Sequence, residues 1–228
     1  MLRLPKRLRN LRYKIFYGML LSRRFELATL GDTSYGVQWT ICPKLLDPNS
    51  VVYSGGVGKD ISFEHALVKR FGCKIMLYDP SPTGVNTMAR PENQITQFRF
   101  FQFGIAGRDG TLKMAPPKPG DISWSAQSDG TATLEVPCKS IHSLMQQNGH
   151  THIDLLKLDI EGCEYEVIDE ILRGKIKVRQ LCADFDYGYV RGVRRSQAIR
   201  AMLKLIAHGY MLVSQDGANH TFISRASI

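Results

Sequence analysis

Thirty residues, Val51 to Pro80 (VVYSGGVGKDISFEHALVKRFGCKIMLYDP), carry in succession a strand, a glycine loop, a helix and a second strand tipped by an acid. No other stretch narrows the fold so far. Val51 to Tyr53 is a short β-prone run that stops at Ser54-Gly55-Gly56-Val57-Gly58, where missing side chains let backbone N–H groups approach a ligand closely. Ser62 is placed to cap a helix whose apolar positions Phe63, Ala66, Leu67 and Phe71 fall at helical spacing, with Gly72 to end it. Lys74 to Tyr78 reads as the next strand and leads into Asp79 and Pro80. An acid at the tip of the second strand, about 20 residues beyond the glycine loop, is where a doubly wound α/β fold hydrogen-bonds the hydroxyls of a ribose.

The glycine spacing narrows the choice of nucleoside. A dinucleotide fingerprint G-x-G-x-x-G read from Gly56 needs a small residue at position 61, and Ile61 stands there. No G-x-x-x-x-G-K-[ST] occurs in the chain, which leaves a triphosphate P-loop without support. What remains is small-x-Gly-x-Gly from Ser54 to Gly58, which resembles the first motif of class I S-adenosylmethionine-dependent methyltransferases. The plainer alternative is a tight strand-to-helix turn that binds no nucleotide.

A chain of 228 residues holds one full α/β domain with a sizeable core. Apolar residues at 43% and charged residues at 22% are globular proportions, which excludes a disordered chain. Five cysteines form no CxxC pair and lie mostly in apolar segments, so free thiols in a reducing cytoplasm are expected. The net charge of +9 is uneven, because Arg3, Lys6, Arg7, Arg9, Arg12, Lys14, Arg23 and Arg24 fall in the first 24 residues. The apolar run Ile15 to Leu21 is too short to span a bilayer and lacks a cleavage site. Residues 1–45 therefore read as a basic helical extension, either solvated and packed on the core or in peripheral contact with an anionic membrane, and residues 46–228 as the α/β domain.

The rest of the chain alternates apolar runs with helical stretches, the pattern of βα units in a mainly parallel, doubly wound sheet of seven strands. Gln97 to Phe103 is the third strand, and the turn Gly107-Arg108-Asp109-Gly110 predicts a hairpin through Thr111 to Met114. Ala115 to Thr133, rich in Pro, Gly, Ser and Asp and containing Trp124, reads as a loop over the site. Ser140 caps a helix that stops near Asn148-Gly149, Ile153 to Leu158 is a buried strand ending in Asp159, and Gln180 to Phe185 is a strand ending among Asp184 and Asp186. Tyr210 to Ser214 and His220 to Ser224 suit a hairpin joined at Asp216-Gly217.

The segment HIDLLKLDIEGCEYEVIDEIL, His152 to Leu172, closely resembles the signature of the FkbM family of methyltransferases, D-L-L-K-[LI]-D-[IV]-E-G-x-E-x-x-[VL]. The resemblance extends through YSGGVGKDISFE, YDPSP, GIAGRDGTLKM, ISWSAQ, VPCKSIHSLM, ADFDYG and GYMLVSQDGANHTFISR, about three quarters of the chain, and leaves out residues 1 to about 45. It implies a Rossmann-like class I methyltransferase that binds S-adenosylmethionine and methylates a hydroxyl of a sugar, glycan, glycolipid or secondary metabolite. Carried over by position, Ser54, Gly56 and Gly58 would line the methionine part of the cofactor, Asp79 would hold the ribose, Gly104 and Ile105 would wall the adenine, and Gly55 and Pro80 would also line the cofactor. Two positions depart from the class I pattern: Val52 stands where an acid usually precedes the loop, and Ser54 replaces the first glycine. They motivate an alternative, a catalytically silent binding module on the same fold.

Methyl transfer from a sulfonium is an in-line displacement, so the acceptor atom must be held roughly 3 Å from the methyl carbon. A sugar hydroxyl also needs a general base. Asp159 and Glu161 fit, because the carboxyl ends of parallel strands converge on the ligand crevice, and a spacing of two in an extended strand projects both to one side. Asp184 and Asp186 repeat the spacing on the next strand, which makes Asp184 a third catalytic candidate. Four crowded carboxylates would raise one another's pKa or gather a divalent metal ion, the less favoured use. A non-catalytic role for Glu161 is to cap the following helix, while Glu164 and Glu166 read as solvated helix residues. The histidines lack metal-ligand spacing, and His220 is the reserve base. No [DN]-P-P-[YFW] motif supports a nucleic-acid substrate, whereas N-methylation of another small molecule stays open.

Overall fold

The computed structural model describes residues 16–32, 38–117, 124–126, 133–185 and 194–228. A seven-stranded sheet runs through it, built from β1 (Val52–Gly55), β2 (Ile75–Tyr78), β3 (Phe98–Phe101), β4 (Ile153–Leu158), β5 (Val178–Asp184), β6 (Tyr210–Asp216) and β7 (Asn219–Ser224). Their spatial order is β6-β7-β5-β4-β1-β2-β3, with β7 antiparallel to both its neighbours and the five strands from β5 to β3 mutually parallel. The strand order reverses between β1 and β4, and in open α/β sheets that switch point is where the carboxyl ends of the strands leave a crevice for ligand.

Alternate residues of these strands feed two cores, as the two-residue period of a strand requires. Val52, Ile75, Leu77, Leu155 and Cys182 join Phe63 and Leu67 of helix α1 (Ser62–Phe71). Tyr53, Tyr78, Leu156, Leu158 and Leu181 face the other way. There they meet α3 (Ile141–Asn148), α4 (Glu164–Arg173) and α5 (Arg195–Ala207), while the short α2 (Pro82–Met88) follows β2. All six residues of β4 are buried, so a strand covered on both faces reads as the near-continuous apolar run IDLLKL. The β6–β7 hairpin turns at Gly217, and Gly72 and Gly149 end α1 and α3 in the left-handed conformation.

Residues 16–20 are helical, but Ala28–Leu30 pairs antiparallel with Trp39–Ile41, which corrects the expectation of a helical extension over residues 1–45: strand alternation turns Trp39 and Ile41 inward. Tyr17 is buried in the core beside His220, and Trp39 and Ile41 in the core on α1. Arg3, Lys6, Arg7, Arg9, Arg12 and Lys14 lie outside the described residues. Among the described residues no helix is long and apolar enough to cross a membrane. All five cysteines are free and buried.

Three local expectations about strands and caps are corrected. The third strand ends at Phe101, where stacking of its ring on Tyr78 at 5.1 Å and the neighbouring Phe103 ring hold the chain at a corner. Gly104–Ile105 then joins a second sheet, parallel to Leu134–Lys139. Gly110–Ala115 pairs with the opposite edge of Leu134–Lys139 rather than forming a hairpin with the third strand. Ser62 is the first helical residue and not the cap: its amide donates to Asp60 Oδ1 at 2.8 Å, and its hydroxyl accepts from the Asp32 amide.

Candidate active site

The glycine loop lies against the end of β4. Gly56 has φ +85°, and a Cβ placed there would stand 1.9 Å from the Asp159 carbonyl oxygen, so only glycine lets the two backbones touch. The loop amides do not point into open space. Gly56 N donates to the Tyr78 carbonyl at 2.9 Å, and Val57 N and Gly58 N donate to Asp79 Oδ2 at 2.9 and 3.0 Å. Asp79 Oδ1 accepts from Ser81 N at 2.8 Å, which leaves this buried carboxylate little free capacity for a ribose. Its first task is to brace the loop. Gly84 makes room for it, since a Cβ there would fall 2.4 Å from Asp79 Oδ2.

Asp159 and Glu161 follow β4 but do not extend it. The strand ends at Leu158, and Glu161 has a left-handed φ of +53°, so a turn and not strand alternation brings both residues to one crevice. Glu164 holds this turn. Its carboxylate accepts from Ile160 N at 2.7 Å and Gly162 N at 2.9 Å and is completely buried, which corrects the expectation of a solvated residue. Desolvation pushes its pKa up to about 8 against the pull of its own amide and that of Ile160, with Asp159 and Asp184 adding to the rise. Helix α4 starts at Glu164 behind Cys163, so Glu161 is not its cap.

Beneath the crevice lies an ionic network that the chemistry-bearing motifs did not announce. Lys157 Nζ donates to the Gly56 carbonyl at 2.7 Å, stands 3.4 Å from Glu64 Oε1 and 3.9 Å from Asp159 Oδ2, and approaches the Trp39 ring. Ser54 Oγ donates to the same Glu64 oxygen at 2.5 Å. Burial alone would lower the Lys157 pKa, yet Glu64 and then Asp159 more than offset it and the net shift is upward, so the lysine is an ammonium. For Asp159 desolvation is the largest influence and raises the pKa, Lys157 opposes it, and Glu64 and Asp79 add to the rise. The Asp159 side chain nevertheless keeps 32% of its surface open.

The sequence did contain a signal for these residues. Glu64 shares one helical face with Leu67, Val68 and Phe71, and Glu164 shares another with Val167, Ile168 and Ile171, each at spacings of three, four and seven. A carboxylate on an apolar face, or a lysine inside a two-faced buried strand, has to be paired.

Gly56, Gly58, Asp79, Pro80, Gly104, Ile105, Asp159 and Glu161 all line one crevice of about 980 Å³ that is open to solvent. Pro80, Gly104, Ile105 and Leu112 form its apolar wall, and Met114, Trp124 and Ala126 lie across it. Ser125–Ala126 pairs with Met114–Ala115, tying that part of the loop over the crevice, while residues 118–123 and 127–132 are outside the described ones. Ser54 and Gly55 lie below the lining, the first on Glu64 and the second against Ile105 and Ile160.

Asp184 does not join this group. It ends β5 opposite Asn219 and is absent from the crevice lining, because β5 is one strand further from the switch point than β4. Asp186 lies outside the described residues, and among those described no three His, Cys, Asp or Glu gather as a metal site. His220 is buried with Nδ1 2.6 Å from the Ala218 carbonyl, so Nδ1 carries the proton and Nε2 accepts from Tyr17 Oη at 2.8 Å. Burial lowers its pKa to about 4, and it does not line the crevice.

An apolar wall beside an acid-braced glycine loop, with open space over Gly58, fits an adenosyl group carrying an amino-acid arm, as in S-adenosylmethionine. Among solved structures, an rRNA methylase from Streptococcus thermophilus is similar with a TM-score of 0.43 and 10% identity, over 79% of this chain and 90% of that one. Fibrillarin from Aeropyrum pernix, with natively bound S-adenosyl-L-methionine, gives 0.42 and 10% over 80% and 68%. TYW2 from M. jannaschii in complex with AdoMet gives 0.35 and 11% over 89% and 86%. No curated protein matches the chain. The methyltransferase FkbM domain model matches residues 47–206, which include the glycine loop, Asp79 and the Asp159 turn, and the chain accordingly belongs to the FkbM family of S-adenosylmethionine-dependent methyltransferases.

Proposed function

We propose that this methyltransferase acts on oxygen, at a hydroxyl of a sugar, glycan or glycolipid, with Asp159 as general base. The observation that carries the reading is the close approach of Gly56 to the Asp159 backbone: the loop that would hold the cofactor lies directly against a carboxylate of raised proton affinity. When bound, the cofactor supplies an electrophilic methyl on sulfur. Asp159 would take the proton as the acceptor oxygen bonds to the methyl carbon and the sulfur–methyl bond breaks, its electron pair staying on sulfur as a neutral thioether, and Glu161, on the same turn, would orient the acceptor. Asp79 holds the loop and, with its remaining lone pair, the ribose; Pro80, Gly104 and Ile105 hold the adenine. A neutral amine would also pass its proton to Asp159, so the acceptor element is decided by product analysis. Peripheral membrane contact through the basic leader belongs to the same reading, since a glycolipid is presented at a membrane surface.

The test is incubation with S-adenosylmethionine and a panel of free glycans, glycolipids, amines and a structured RNA, following S-adenosylhomocysteine and locating the new methyl by mass spectrometry. An O-methyl glycan or glycolipid is expected, and Asp159→Asn should spare cofactor affinity while cutting turnover by about 10²–10⁴-fold. Methylated amine or RNA, or full turnover of Asp159→Asn, overturns the reading.

A further inference from the structure

The buried lysine of β4 stands where the glycine loop, helix α1 and the Asp159 turn meet. Lys157 joins three elements that must keep a fixed relation during transfer: the glycine loop through the Gly56 carbonyl, helix α1 through Glu64, and the catalytic turn through Asp159. Its ammonium donates a hydrogen bond to the Gly56 carbonyl at 2.7 Å and forms ion pairs with Glu64 Oε1 at 3.4 Å and Asp159 Oδ2 at 3.9 Å, one contact on each element. Ser54, in the register position beside Lys157 on the neighbouring strand, holds the shared Glu64 oxygen from the far side. We propose that Lys157 is a positioning residue for methyl transfer: its buried ammonium ties the carbonyl of the glycine loop to the Asp159 carboxylate and so fixes where the base stands relative to the cofactor seat.

This rests on the reading of Asp159 as the base. The class I position for an acid before the loop is Val52 here, and the buried carboxylate under the loop comes from α1 instead, as Glu64. A residue in this place has a second consequence. The groups facing Asp159 are Lys157 from β4, Glu64 from α1, Asp79 from the end of β2, and Glu164 from α4. Only the lysine is a cation, so it alone pulls the Asp159 proton affinity down.

The titration needs no acceptor. In the full-length chain labelled with ¹³C at aspartate carboxyls, Asp159→Asn assigns the Asp159 resonance, and its titration midpoint is followed by NMR. Lys157→Met should move the midpoint to higher pH and Glu64→Gln to lower pH, opposite signs that loosened packing does not produce. If Lys157→Met alone fails to fold because Glu64 is left unpaired, the double variant is compared with Glu64→Gln alone, and its midpoint should lie higher. An unmoved or lowered midpoint on loss of the lysine overturns the proposal. Turnover of Asp159→Asn is read separately: if it stays intact the base assignment fails, whatever the titration gives. With an acceptor in hand, the acid limb of kcat/KM should follow the same shifts, whereas a merely structural lysine would lower activity equally at every pH.

Discussion

Glu164 accepts the amide proton of Ile160 at 2.7 Å, across the turn that carries Asp159 and Glu161. A second bond from Gly162 at 2.9 Å goes to its other oxygen, so the first residue of α4 closes back on the segment leaving β4. The turn holds Glu161 at φ +53°, a conformation that costs a non-glycine residue of order 1 kcal/mol and persists only when neighbours enforce it. The two bonds to Glu164 are that enforcement, and they aim both crevice acids at the same space.

The stability of the chain without cofactor should therefore fall as pH rises. The folded Glu164 keeps its proton up to about 8, against an ordinary 4.5 in the unfolded chain. Between those values the folded state binds the extra proton. This contribution is complete below about 4.5 and is lost as pH climbs through about 8. Urea unfolding at about pH 5 and about pH 8 should show a decline of up to about 1.4 kcal/mol per pH unit from this group, absent in Glu164→Gln. Identical pH slopes in the two proteins would contradict it.

Asp79 should matter to the fold before any cofactor binds. Its two oxygens serve three backbone amides, those of Val57, Gly58 and Ser81. Asparagine offers one acceptor oxygen, so Asp79→Asn strands at least one buried N–H and should destabilise the unliganded chain by about 1–3 kcal/mol in urea. A carboxylate serving only ribose would leave the unliganded stability unchanged.

Gly56 and Gly58 should part company on substitution. Both have positive φ, +85° and +57°, but a Cβ on Gly56 meets the Asp159 carbonyl at 1.9 Å whereas nothing lies within 4 Å of one on Gly58. Gly58→Ala should cost about 1–2 kcal/mol, the left-handed strain alone. Gly56→Ala has to push the loop off the Asp159 turn, so its unfolding midpoint should fall further and its affinity for S-adenosylhomocysteine by calorimetry should drop. Equal losses in the two variants would mean that the close approach is unimportant.

Periodicity and turn chemistry made much of this molecule readable in one dimension. The run IDLLKL could only be a strand covered on both faces, the spacing of Phe63 and Leu67 could only be one side of a helix, and the glycine loop followed by Asp79 marked the switch point. Those signals are local, because a side chain's direction follows from the backbone that carries it. They put Asp159, Glu161 and Asp79 at one crevice but could not exclude Asp184, whose spacing to Asp186 looks the same as that of Asp159 to Glu161. Distance from the switch point separates them, and that depends on the order of strands in space.

The sequence by itself determined the alternation of strands and helices, the glycine-to-acid unit and the FkbM signature, since each is written in consecutive residues. Only the tertiary structure decided which charges meet. Glu64 and Lys157 are 93 residues apart in the chain, and Asp79 and Gly58 are 21. A buried ion has to find a partner, but the partner's identity is fixed by which strands lie side by side, and no local pattern of residues records that choice.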